Sequence, residues 1–166
     1  MTRLSKAGDV LRQTPGGHVL FCDDVRQEVN GKFIFIGVYT GEMIYGGDFP
    51  VVIPQLFACV TYIERPGDGD DLATLHIDGP SGEADVKWFE GQLPDMQSHR
   101  HVASENLELD SDADAAMGIY WNITLGPLTI LRPGIVKVYV VKGGQKYRIG
   151  GLRIVSAQVP NDTASN

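Results

Sequence analysis

The chain has 166 residues, 43% of them hydrophobic and 21% charged, with twenty glycines, nine prolines and a net charge of −7. That length is one ordinary domain or two very small ones, and the composition excludes a disordered chain, a collagen, a coiled coil and a disulfide scaffold. No run approaches the ~18 apolar residues of a membrane span, and the acidic balance disfavours bulk nucleic-acid binding.

Residues 1–17 are polar, end in Pro15-Gly16-Gly17, and read as a flexible arm. Asp9 follows Lys6 with no apolar stretch, so no secretory signal is read and a cytoplasmic protein is expected. Cys22 and Cys59 lie inside the apolar runs Leu20-Phe21-Cys22 and Phe57-Ala58-Cys59-Val60. They are expected as reduced, buried thiols; the alternative is a disulfide between two sheets.

From residue 18 onward, apolar runs of strand length alternate with turn residues, and no long stretch keeps a helical period. Val29-Asn30-Gly31-Lys32 carries the clearest local signal. Asn-Gly favours positive φ and closes a tight hairpin, here between strands over 18–29 and 32–40. A two-residue loop sets Val25 opposite Ile36, Gln27 opposite Ile34 and Phe21 opposite Thr40. Phe21, Val25, Val29, Ile34, Ile36 and Val38 then form the core face. Arg26, Glu28, Phe33, Phe35 and Tyr39 form the outer one. Outer aromatics need a cover, from a loop of this chain or from another chain, so self-association through Phe33, Phe35 and Tyr39 is expected. A three-residue loop with a bulge at Gly31 changes this register. The polar run over 23–28 is either an edge strand protected by charge or a recognition edge.

Further strands are predicted over 55–63, 73–77, 84–89 and 119–125. In the last, Ile119, Trp121, Ile123 and Leu125 alternate with Tyr120, Asn122 and Thr124. Asp68-Gly69-Asp70-Asp71 reads as a plain turn. Residues 91–117 lack strand character, with a helical turn expected near 112–117. Within them, Asp110-Ser111-Asp112-Ala113-Asp114 opens like a calcium loop, but Ala115 stands at the glycine position and Trp121 at the glutamate position. His99 and His101 lack a third and fourth ligand, so neither a metal site nor a cofactor is expected. There is no Gly-x-Ser-x-Gly elbow, Walker loop or dinucleotide fingerprint, so no catalytic residue is assigned.

The C-terminal region closes a second hairpin at Gly143-Gly144. It pairs Val140 with Tyr147 and Val138 with Ile149 on the core side, and Tyr139 with Arg148 and Val141 with Lys146 on the other. Leu152 and Ile154 then have the wrong parity, which predicts a bulge at Gly150-Gly151. Lys137, Tyr139, Lys146 and Arg148 share a basic, aromatic-bearing face. It is either an ordinary solvated face or a dock for an acidic protein surface, and more weakly for nucleic-acid phosphates. Residues 157–166 read as a tail.

Charge is distributed unevenly. Residues 64 to 114 hold fourteen acids against three bases, whereas 115 to 161 hold six bases and no acid. These parts either face each other, within one fold or between copies, or form two solvated faces of opposite sign.

The runs Leu20-Phe21-Cys22-Asp23-Asp24-Val25-Arg26-Gln27-Glu28, Gly31-Lys32 and Ile36-Gly37-Val38-Tyr39-Thr40-Gly41-Glu42-Met43-Ile44 resemble the opening signature of a family of small uncharacterised bacterial and phage proteins, a domain of unknown function. The resemblance is clearest over residues 19–60. It implies a prokaryotic or phage origin and a compact single domain, and supplies no activity, cofactor or catalytic residue.

The expected fold is all-β: a two-layer antiparallel sandwich of immunoglobulin-like type over 18–156. The expected function is a non-catalytic binding or structural module acting through protein contacts, including contacts with itself. The alternatives are a phage virion accessory of capsid or tail, and then a small-molecule-binding protein or enzyme. No membrane partner is expected.

Overall fold

The computed structural model describes residues 15–65, 68–80, 84–95 and 116–157. In chain order, the strands are β1 (Gly16–Cys22), β2 (Asp24–Gln27), β3 (Phe33–Ile36), β4 (Glu42–Tyr45), β5 (Val51–Ile53), β6 (Leu56–Glu64), β7 (Thr74–Gly79), β8 (Val86–Gln92), β9 (Met117–Leu125), β10 (Leu128–Ile130), β11 (Gly134–Lys142) and β12 (Gln145–Ser156). The described residues contain no helix, and hence none long and apolar enough to cross a membrane. The protein is therefore all-β, as its turn-rich, period-two sequence predicts.

Two sheets dominate, one ordered β1-β6-β9 and the other β4-β12-β11-β7-β8; β2–β3 and β5–β10 are two-stranded ribbons. Pairing is antiparallel except between β12 and β4, where Arg153 to Ser156 run parallel to Glu42 to Tyr45. The all-antiparallel expectation is corrected there. Hairpins force antiparallel neighbours, whereas β4 and β12 are joined by a long crossover that leaves direction free. β4, β5 and β10 are three or four residues long, too short to show an alternation in the sequence. β1 begins at Gly16, opposite Ile63, so the strand reaches two residues into the expected arm. Residues 1–14 and 158–166 lie outside the described residues, as do His99, His101 and the run 110–114. The helical turn expected near 112–117 also falls there, except for Ala116 and Met117; Met117 is the first residue of β9.

Alternate residues of both sheets build one core. β6 buries Leu56, Ala58, Val60 and Tyr62, β7 buries Leu75 and Ile77, β11 buries Val136, Val138 and Val140, and β12 buries Leu152 and Ile154. Gly150 admits Val19 of β1 so closely that a Cβ there would lie 2.4 Å from its Cγ1. Trp121 is half-buried and meets Phe89 edge-on, with centroids 5.3 Å apart. An ion pair also joins the sheets inside: Lys142 Nζ of β11 lies 2.8 Å from Glu64 Oε1 of β6. The Tyr62 hydroxyl donates to the same oxygen at 2.7 Å. Lys142 and Glu64 are 4% and 2% exposed, so each charge depends on the other for solvation.

The C-terminal hairpin has the predicted register as far as Tyr139, with Tyr139 facing Arg148, Val140 facing Tyr147 and Val141 facing Lys146, but Val138 does not face Ile149. Gly143 and Gly144 both have positive φ, at 55° and 75°, as a two-residue turn of this type requires. The bulge sits one residue earlier than expected. Val138 pairs with Gly150 and Tyr139 with Arg148, so Ile149 is the extra residue. The displacement restores parity, and Leu152 comes opposite Val136.

The N-terminal hairpin has the other loop length. Glu28 N donates to Lys32 O at 2.8 Å, Gly31 N donates to Glu28 O at 3.0 Å, and Gly31 has φ of 81°. The loop thus has three residues, and Val25 faces Phe35 instead of Ile36, while Phe21 bridges to Tyr39 instead of Thr40. A one-residue slip turns every side chain of a strand over. Ile34, Ile36 and Val38, expected in the core, are 44%, 39% and 43% exposed, and Val29 is fully exposed at the turn. Of the expected core face, Phe21 is buried and Val25 is half-buried.

Candidate functional site

The five-stranded sheet turns one face to the core and the other outward. On β11, Val136, Val138 and Val140 point in, so Lys137 and Tyr139 between them point out. The Gly143-Gly144 register puts Arg148 beside Tyr139, and β7 on the other side puts His76 beside it. His76 in turn faces Glu90 of β8. A single row, Arg148, Tyr139, His76, Glu90, therefore crosses four strands.

This row is ordered by contacts along its length. The Tyr139 ring stacks on His76, with centroids 4.9 Å apart and planes 3° from parallel. Lys146 places its ammonium 3.3 Å from the centre of the Tyr139 ring, a cation–π contact. The Tyr139 hydroxyl donates to Asp78 Oδ2 at 2.8 Å. Burial first, and then that hydrogen bond, push its pKa up to about 12. The phenol is thus a neutral donor at ordinary pH.

Charges on the β7–β8 side are matched. Lys137 pairs with Asp85 at 2.5 Å, His76 Nδ1 lies 3.4 Å from Glu90, and Lys87 pairs with Glu90. The hydrogen bond from Lys87 holds the Glu90 carboxyl below its usual value. The β12 side is unmatched: among the described residues, Lys146 and Arg148 form no ion pair. A shallow cavity of about 340 Å³ lies between Lys137, Tyr139, Lys146 and Arg148. The four residues grouped in the sequence are thus brought together, around a stack that also includes His76 and Asp78. Those two were missed. The strand predicted over 73–77 is apolar at Leu75 and Ile77 and therefore aims His76 outward, but only the pairing of β7 with β11 brings it to Tyr139.

The N-terminal candidates lie elsewhere. The slipped register turns Phe33 toward β9, where its ring lies 5.4 Å from that of Tyr120. Phe35 and Tyr39 are half-buried, and the Tyr39 hydroxyl donates to Asp23 Oδ1 at 2.5 Å. Burial and that hydrogen bond push Tyr39 up to about 12. Phe33 touches Tyr120 but both rings stay exposed, at 38% and 43%, so this part of the stripe is not covered by the described residues. Arg26 pairs with Asp24 at 2.9 Å, and Glu28 is exposed beside the turn.

Register also places Cys22 and Cys59 on the face of the three-stranded sheet that bears Tyr120, away from the core. Both are nevertheless buried free thiols, with their Sγ atoms 3.9 Å apart. Burial, and next the neighbouring Cys59, push Cys22 up to about 12; burial also raises Cys59. Such thiols are poor nucleophiles. Among the described residues, no three His, Cys, Asp or Glu side chains converge as metal ligands. Asp68 accepts from Arg65 N at 2.6 Å in the turn before β7.

No protein-family profile, curated protein or solved structure matches the chain significantly.

Proposed function

We propose that this chain is a non-catalytic module of a bacterium or phage that works through protein contacts. In this reading it is an immunoglobulin-like two-layer sandwich whose five-stranded sheet offers the contact face. The shared core of the two sheets and the direct packing of Val19 on Gly150 support the sandwich.

The observation that carries the functional reading is the state of Lys146 and Arg148. Both flank an aromatic ring held from two neighbouring strands, and neither has an acid partner among the described residues. Tyrosine and arginine are the side chains that most often dominate binding energy at protein interfaces. A tyrosine already fixed by stacking and a hydrogen bond loses little entropy on binding. The cavity is shallow and lies on an open sheet, which suits a protein surface better than an enclosed small molecule.

The test is co-purification of the tagged protein from the organism that encodes it, compared with Lys146→Glu/Arg148→Glu. A discrete partner retained by the wild type and lost from the folded double variant is expected. Equal recovery with both proteins, or no partner for either, overturns the reading.

A further inference from the structure

Lys137 lines two cavities. One is the Lys137–Tyr139–Lys146–Arg148 cavity; the other, of about 320 Å³, continues past Lys137 to Arg132 and Ile135 at the entry to β11. The two meet at Lys137 and form one trough from β12 across β11 to the β7–β8 connection, with Arg132, Lys137, Lys146 and Arg148 along it. Among the described residues, only Lys137 is neutralised, by Asp85. Asp85 itself lines the second cavity, where Lys137 matches it, and Asp78 is held by the Tyr139 hydroxyl. With Lys137 and Asp85 cancelling, the surplus charge of the trough is that of Arg132, Lys146 and Arg148.

The spacing of the cations is that of a strand. Lys146 and Arg148, the two cations of the hairpin that form no ion pair among the described residues, are two residues apart on β12. Alternate residues share a face and stand about 7 Å apart along an extended chain. A ligand matching this pattern presents negative groups at the same interval. Its acceptors are planar carboxylates, which suit the fork of Arg148, and its intervening side chains point away from the sheet.

We propose that the trough binds an extended segment of a partner protein that carries carboxylates at every second residue. This rests on the contact reading above and names the chemistry of the partner. The cations steer and register the segment, so binding falls as salt rises, while Tyr139 holds the Lys146 ammonium in place.

The probe is a synthetic peptide with aspartate at alternate positions, Ser-Asp-Ala-Asp-Ala-Asp-Ser. It is compared by calorimetry with an isomer whose three aspartates are contiguous. The alternating peptide is expected to bind at least tenfold more tightly than its isomer to the full chain. Lys146→Glu/Arg148→Glu is expected to lose that binding at least tenfold. Arg153→Glu, at a base already paired with Glu42, is expected to leave it unchanged. Equal binding of the two peptides, equal loss in all basic variants, or tighter binding of a single-stranded oligonucleotide overturns the proposal. If the peptides fail while co-purification still depends on Lys146 and Arg148, the alternating-carboxylate partner is wrong and the contact face stands. If both fail, the contact face falls too.

Discussion

The two tight hairpins of this chain close on similar turn residues but hold very different positions. β11 is bonded on both flanks, to β12 and β7, and its inner valines have no exposure. β2–β3 is bonded only to itself and carries apolar side chains on both faces, Phe33 and Phe35 on one, Ile34 and Ile36 on the other. In the first, neighbours on each side fix the register and separate a core face from a charged one. In the second, the pattern permits two registers, and loop length decides. A hairpin with chemically distinct faces reveals its register from sequence; one with similar faces does not.

The largest effect is expected where the C-terminal hairpin is anchored in the interior. Glu64→Ala leaves the Lys142 charge buried without a partner and should cost about 3–5 kcal/mol in urea unfolding. Replacing both members of the pair, as Glu64→Gln with Lys142→Met, should recover much of that loss. Full stability in Glu64→Ala would mean that the pair does not tie the sheets.

Truncation sharpens the contrast. Val138→Ala, at a site with 0% exposure, should cost about 2 kcal/mol through lost burial and a cavity. Ile36→Ala, on the outward face of the ribbon, should stay within about 0.5 kcal/mol. Equal costs would erase the distinction between the two hairpins. Gly31→Val should cost about 1–2 kcal/mol, because a β-branched residue resists positive φ. No atom lies within 4 Å of a Cβ placed there, so the whole cost is conformational; a neutral result would mean that the three-residue loop is misassigned.

The smallest effect is alkaline. Tyr39 and Tyr139 are each raised to about 12 from 10, by burial first and then by a hydrogen bond to Asp23 or Asp78. Their contribution to stability is complete below the unfolded value of 10 and is lost as pH rises through 12. Absorbance at 295 nm of the native protein should lag behind that of the denatured chain in this window. Coincident curves would show that neither hydroxyl is held.

Much of the C-terminal half is legible in the sequence. Val138, Val140, Lys137 and Tyr139 alternate cleanly, and the broken parity at Leu152 announces a bulge to within one residue. Asn30-Gly31 locates its turn but does not give its length, because residues 33–38 are apolar at almost every position. The His76–Tyr139 stack and the Glu64–Lys142 pair join strands that are distant in sequence, and no local pattern carries that information. The Phe33–Tyr120 contact has the same origin, since Tyr120 lies on β9.

The packing of the ribbon's aromatic side on the three-stranded sheet can be tested through the two thiols. In the wild type, Cys22 and Cys59 should resist dithiobis-nitrobenzoate until the chain is unfolded. In Phe33→Ser/Phe35→Ser, which strips the aromatic side of the ribbon, both thiols should react under native conditions, and the urea midpoint should fall. If the thiols of the double variant stay protected, its stability is unchanged and only its oligomeric state differs, the aromatic stripe faces another molecule and the slipped register is wrong.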